Sequence, residues 1–107
     1  MKILTRKNGE SYIIKLCGEL DASTAEPVEK VLDEIVLTEP AQIQIDCKEL
    51  KYISSRGLGV FISRFQEIKD KQIDFYLFNM SEPILYVFRV LGLEELMDLR
   101  AENTVKT

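Results

Sequence analysis

Along these 107 residues, apolar positions switch repeatedly between strand spacing and helix spacing, with only short polar connectors between them. That alternation constrains the fold more than any other feature, because strands separated by helices build an α/β domain with a largely parallel or mixed sheet. Met1 to Arg6 reads as an edge strand and Ser11 to Cys17 as a second. The turn Lys7-Asn8-Gly9-Glu10 joins them, with Asn-Gly supplying positive-φ residues. Gly18 to Ala22 reads as a loop. Ser23-Thr24-Ala25-Glu26 then matches a capping box, with Pro27 in the first turn. Val28, Val31, Leu32, Ile35 and Val36 recur at helical spacing until Glu39-Pro40 stops the helix. Gln42 to Cys47 is a strand, and a short apolar strand pattern precedes Ser54. A helix from about Arg56 to Asp70 carries Leu58, Phe61, Ile62, Phe65 and Ile68 as its apolar stripe. Ile73 to Phe78 is the next strand. Ser81 and Pro83 open a helix packed by Ile84, Leu85, Val87, Phe88 and Leu91, and Gly92 ends it as a left-handed cap. Leu93 to Leu99 reads as a turn plus a strand, followed by a polar tail from Ala101. The expected architecture is one α/β domain over residues 1–107, a mixed central sheet of four to five strands packed against α-helices.

Composition removes several function classes. A net charge of −4 is a poor footprint for a nucleic-acid binder, so no direct nucleic-acid contact is expected. No run approaches membrane-spanning length and the start lacks a signal-peptide pattern, so the expectation is a cytoplasmic protein with no membrane contact. Histidine is absent, which removes Ser-His and Cys-His nucleophile pairs and every imidazole metal ligand. Cys17 and Cys47, each at the end of an apolar run, read as small reduced core residues. No catalytic residue, cofactor or metal is expected.

The chemistry concentrates at residues 52–61, Tyr-Ile-Ser-Ser-Arg-Gly-Leu-Gly-Val-Phe, where a strand runs into a helix. Backbone N–H groups at such a junction favour an anion. Four readings of Ser54-Ser55-Arg56-Gly57 compete: a cap, a catalytic serine, a phosphate-binding loop and a phosphoacceptor. The catalytic reading lacks a base and the Gly-x-Ser-x-Gly pattern. The phosphate-loop reading lacks both Gly-x-x-x-x-Gly-Lys and Gly-x-Gly-x-x-Gly. A phosphoacceptor at a helix N-terminus takes a dianion without melting its own helix, and so acts on whatever surface packs over the loop. If the strands are parallel, the loops 18–23, 48–56 and 79–82 share one edge and bring together Asp21, Ser23, Ser54, Ser55 and Ser81.

Taken together, Gly18-Glu19-Leu20-Asp21-Ala22-Ser23-Thr24, Asp46, Tyr52 to Val60 and Leu77-Phe78-Asn79-Met80-Ser81 resemble the STAS domain of bacterial anti-sigma factor antagonists, in order and over nearly the whole chain. The resemblance implies a partner-switching protein. The unmodified antagonist binds an anti-sigma factor serine kinase and frees a sigma factor. The kinase phosphorylates it with ATP, and a metal-dependent serine phosphatase resets it. On this pattern Ser55 stands at the phosphorylated position and Ser54 is the second choice. Asp21, Ser23, Ser54, Ser55, Arg56, Gly57 and Leu58 form the partner-binding set. Ser54 replaces the usual aspartate, and Arg56 stands where a small residue is expected. Arg56 is either a phosphate partner, an obstacle or contact at the kinase surface, or a solvated first-turn arginine. Asp21 is either a partner contact or a loop residue capping the next helix. Asp46 either orients the acceptor loop or simply ends its strand. An alternative that keeps the fold is a non-switching scaffold or ligand sensor.

Overall fold

A computed structural model describes residues 1–101 of the protein. The tail expected beyond Ala101 lies outside the described residues. Strands β1 (Lys2–Asn8) and β2 (Ser11–Leu20) form an antiparallel hairpin. Helix α1 (Ala25–Leu37) leads to β3 (Gln42–Asp46) and β4 (Leu50–Ile53). Then come α2 (Ser55–Asp70), β5 (Asp74–Phe78), α3 (Glu82–Val90), a 3-10 turn (Leu93–Glu95) and β6 (Asp98–Leu99). The sheet order is β1-β2-β3-β5-β6, with β4 paired to the far end of β2. Every pairing except β1 with β2 is parallel.

Six strands stand where four to five were expected, and β2 runs further than expected. It does not stop at Cys17. Its first half pairs with β3 and its last three residues, Gly18 to Leu20, pair with β4. Gly18 takes φ +115, and the register shifts between Gly18 and Glu19. A glycine tolerates this irregularity and lets the strand continue where composition alone suggests a loop. In the hairpin, Gly9 adopts positive φ (+64) and Asn8 remains in strand, so only half of the Asn-Gly expectation holds.

Alternation along the strands builds one apolar face. Ile14 and Leu16, Ile43 and Ile45, and Leu77 are all buried there. They share a core with Val28, Leu32 and Val36 of α1, Leu58, Phe61 and Ile68 of α2, and Ile84, Leu85 and Phe88 of α3. Two stripe assignments fail at their margins: Ile62 is 45% exposed and Leu91 56%. Each is an apolar residue on the flank of its stripe, where burial depends on a neighbour that periodicity does not reveal. Cys47 is fully buried, and that burial pushes its thiol far above the ordinary range. Cys17 is only half-buried, so it is a marginal core residue, and both cysteines are free. Among the described residues no helix is long and apolar enough to cross a membrane.

Candidate functional site

The serine loop owes its position to β4. This strand pairs in parallel with Gly18 to Leu20, so β2 and β4 end side by side. The N–H of Ser54 donates to the Leu20 carbonyl at 3.0 Å, which fixes the start of α2 against the β2–α1 loop. Gly57 sits at the same contact. A Cβ there would stand 2.5 Å from the Leu20 carbonyl oxygen and 2.9 Å from Leu20 Cγ. Glycine is therefore required by close approach of two backbones, in an ordinary helical conformation.

The two serines divide the work. Ser54 is extended (φ −96, ψ 174), and its Oγ accepts the Gly57 N–H at 3.1 Å. It is the N-cap. Ser55 is the first helical residue and is exposed. The first intrahelical bond runs from the Leu58 N–H to the Ser54 carbonyl, so the N–H groups of Ser55 and Arg56 precede the ladder and point out of the helix end. Ser54→Ala is expected to cost about 1 kcal/mol. A urea melt of that variant checks the value, and an unchanged midpoint would remove the capping role.

Asp21 and Ser23 organise the adjoining loop. The Asp21 carboxylate accepts from the Ser23 N–H at 2.9 Å and from the Ser23 hydroxyl at 2.8 Å. The Ser23 hydroxyl and N–H hold the Asp21 carboxyl below its ordinary value. The expected capping box does not form. The N-cap is Thr24, and it makes no side-chain capping bond. Its hydroxyl instead donates back to the Glu19 carbonyl at 2.7 Å and accepts the Asp21 N–H at 2.9 Å. The Asp21 carbonyl accepts the N–H groups of Thr24 and Ala25, so Asp21 opens the helix through its backbone.

The third loop, after β5, meets the turn after β3. Asn79, in the left-handed region (φ +58), donates its amide to Asp46 at 3.1 Å, and Asp46 also accepts the Lys48 N–H at 3.0 Å. Asp46 thus shapes the turn that leads into β4. Ser81 is the N-cap residue of α3 but makes no side-chain capping bond.

Arg56 is not a simply solvated arginine. Its guanidinium makes a two-pronged contact with Glu29 of α1, at 2.9 and 3.1 Å. Glu29 also takes Arg64 at 3.2 Å, and Arg64 reaches Asp33 at 2.6 and 3.0 Å. Sequence reading missed this network because its partners lie 27 to 35 residues apart on two helices. Hydrogen bonds from Arg56, more than the Arg64 charge, hold the Glu29 carboxyl below its ordinary value near 4.5, against the opposing effect of partial burial. A carboxylate lowered in the native state contributes its full stability above the unfolded value and loses it as pH falls through the native one. Arg56→Gln is therefore expected to flatten the acid-side loss of stability as pH falls below Glu29's ordinary value near 4.5. Urea midpoints across that range check it, and identical slopes for the two proteins would contradict it.

This architecture has known counterparts. The family model for the STAS domain matches residues 2–107. An anti-sigma-B factor antagonist of Listeria monocytogenes is 32% identical over 87 residues, covering 81% of this chain and 76% of that protein. In fold, the chain is similar to an anti-sigma factor antagonist from Mycobacterium paratuberculosis, with a TM-score of 0.87 at 18% identity over 95% of this chain and 86% of that one. It is also similar to the Bacillus cell fate determinant SpoIIAA in its phosphorylated form, with a TM-score of 0.73 at 23% identity over 92% and 90%. Sequence and fold agree over nearly the whole length, and the chain belongs to the STAS domain family.

Proposed function

We propose that this chain is an anti-sigma factor antagonist that binds a serine-kinase anti-sigma factor, frees a sigma factor, and is switched off by phosphorylation of Ser55. The observation that carries the reading is the division between the two serines. Ser54 spends its oxygen on the cap, whereas Ser55 is exposed on the first turn of α2. Relatives named anti-sigma-B factor antagonists support the partner class. The modification is a phosphoryl transfer: Ser55 Oγ attacks the γ-phosphorus of ATP, the new O–P bond replaces the bond to ADP, and the hydroxyl proton passes to the kinase. The phosphate adds about 1.5 to 2 negative charges at an end of α2 whose first turn holds no acidic residue. The helix therefore tolerates the group, and the effect falls on the docked partner.

Asp21, Ser23, Arg56, Gly57 and Leu58 complete the proposed partner-binding set in unequal roles. Gly57 and Leu58 are buried and set the backbone, while Ser23 and Arg56 are exposed and open to a partner. A metal-dependent phosphatase then resets the switch at the exposed Ser55. The reading assigns the chain a binding role and no reaction of its own. A reconstituted complex of sigma factor and anti-sigma kinase tests it: adding the unmodified chain should release the sigma factor. No binding to any such kinase would end the reading.

The pairing of Arg56 with Glu29 favours a second reading, a scaffold that assembles without switching, since the arginine is engaged within the domain. That reading requires Ser55→Ala and Ser55→Asp to bind the partner equally.

A further inference from the structure

We propose that Arg56 is a phosphate-responsive latch: it clamps the first turn of α2 to α1 through Glu29 while Ser55 bears a free hydroxyl, and transfers to the phosphate once Ser55 is phosphorylated. The proposal rests on Ser55 as the phosphoacceptor.

Three observations carry it. The first is the position of Arg56, the second residue of α2, at the positive end of the helix dipole in a turn with no acidic residue. Its compensation comes from another helix, through the two-pronged Glu29 contact. A phosphate on the neighbouring residue offers a dianion in place of a monoanion and three acceptor oxygens in place of two, and any pair of those oxygens suits the two-pronged guanidinium fork.

The second is that Glu29 is not orphaned when Arg56 leaves. Arg64 remains on Glu29 at 3.2 Å, and it is anchored on Asp33 as well. Removing one partner from a paired charge is costly when the other is left alone, and this arrangement avoids that cost. The third is exposure. The Arg56 side chain is 47% exposed and borders solvent, whereas that of Arg64 is 17% exposed and bonded to both Glu29 and Asp33.

The transfer carries the signal away from the loop. Arg56, Arg64, Glu29 and Asp33 carry two positive and two negative charges. Once Arg56 turns to the phosphate, Glu29 and Asp33 share Arg64 alone, and that patch of α1 gains a net negative charge. A partner covering both helix ends then meets two changed surfaces from one modification.

The test uses the full chain with phosphoserine placed at position 55 during translation, so that no kinase is needed. Phosphorus NMR follows the second ionisation of the phosphate with pH, for this protein and for its Arg56→Gln and Glu29→Gln variants. The latch requires the phosphate of Arg56→Gln to titrate about 0.5 pH unit higher than in the otherwise unchanged chain, toward the ordinary value near 6. It requires Glu29→Gln to titrate at or below the unchanged chain. The Arg56 side-chain N–H signal must also move on phosphorylation. Equal titration with and without Arg56, or an unmoved Arg56 signal, overturns the latch while leaving Ser55 as a kinase target intact. Failure of a kinase to label Ser55 is a separate result that this titration does not touch.

Discussion

Ser55→Asp is expected to weaken binding to the serine-kinase anti-sigma factor by at least about tenfold, corresponding to about 1.4 kcal/mol, while Ser55→Ala binds like the wild type. The fold tolerates both changes for a definite reason. The cap of α2 is Ser54, whose Oγ holds the Gly57 N–H, and Ser55 is exposed beside it. An acidic residue in the first turn also suits the helix dipole, so Ser55→Asp should melt no earlier than the wild type. Weaker binding with an intact melt therefore reports a charge placed in the interface. Titration calorimetry against the kinase separates the outcomes, and equal affinities for the two variants would favour the scaffold reading. Ser55→Ala should also remain bound when ATP is added, because it has no oxygen to accept the phosphate.

Gly57→Ala is expected to destabilise the protein by about 1 to 3 kcal/mol, against a gain of up to about 1 kcal/mol in helix propensity. The methyl group would lie 2.5 Å from the Leu20 carbonyl oxygen, an atom fixed by its bond to the Ser54 N–H. Relief needs α2 to move away from β2, which breaks the junction that presents Ser55. Gly59, two residues on, is the internal control. A Cβ built there meets nothing within 4 Å, so Gly59→Ala should leave stability unchanged or raise it by up to about 1 kcal/mol. Thermal melts distinguish the two positions. Similar shifts at both would show that helix propensity, and not close approach, governs the loop.

Local patterns were legible in the sequence to different depths. The α/β alternation, the entry to α2 and the left-handed Gly92 follow from spacing and from residues with one strong conformational preference. The β2–α1 connection was misread because two of its signals depend on tertiary pairing. Gly18 is a bulge within a strand once β4 lies alongside, and Thr24 turns its hydroxyl to Glu19 and leaves its own helix uncapped. The order of Ser54 and Ser55 as cap and exposed acceptor is a matter of helix register, one residue from ambiguity in the sequence. Arg56 was visible as an odd residue beside the acceptor, but its partner Glu29 comes from another helix. Helix-to-helix ion pairs leave no mark on either helix's periodicity.

Ser55, and not Ser54, should receive the phosphate. Incubating the wild type, Ser54→Ala and Ser55→Ala with a cognate anti-sigma kinase and ATP, then mapping the site by tandem mass spectrometry, decides the point. Phosphate is expected on Ser55 in the wild type and in Ser54→Ala, and none in Ser55→Ala. Phosphate on Ser54, phosphate persisting in Ser55→Ala, or an unlabelled wild type bound to an active kinase would overturn the switch at Ser55.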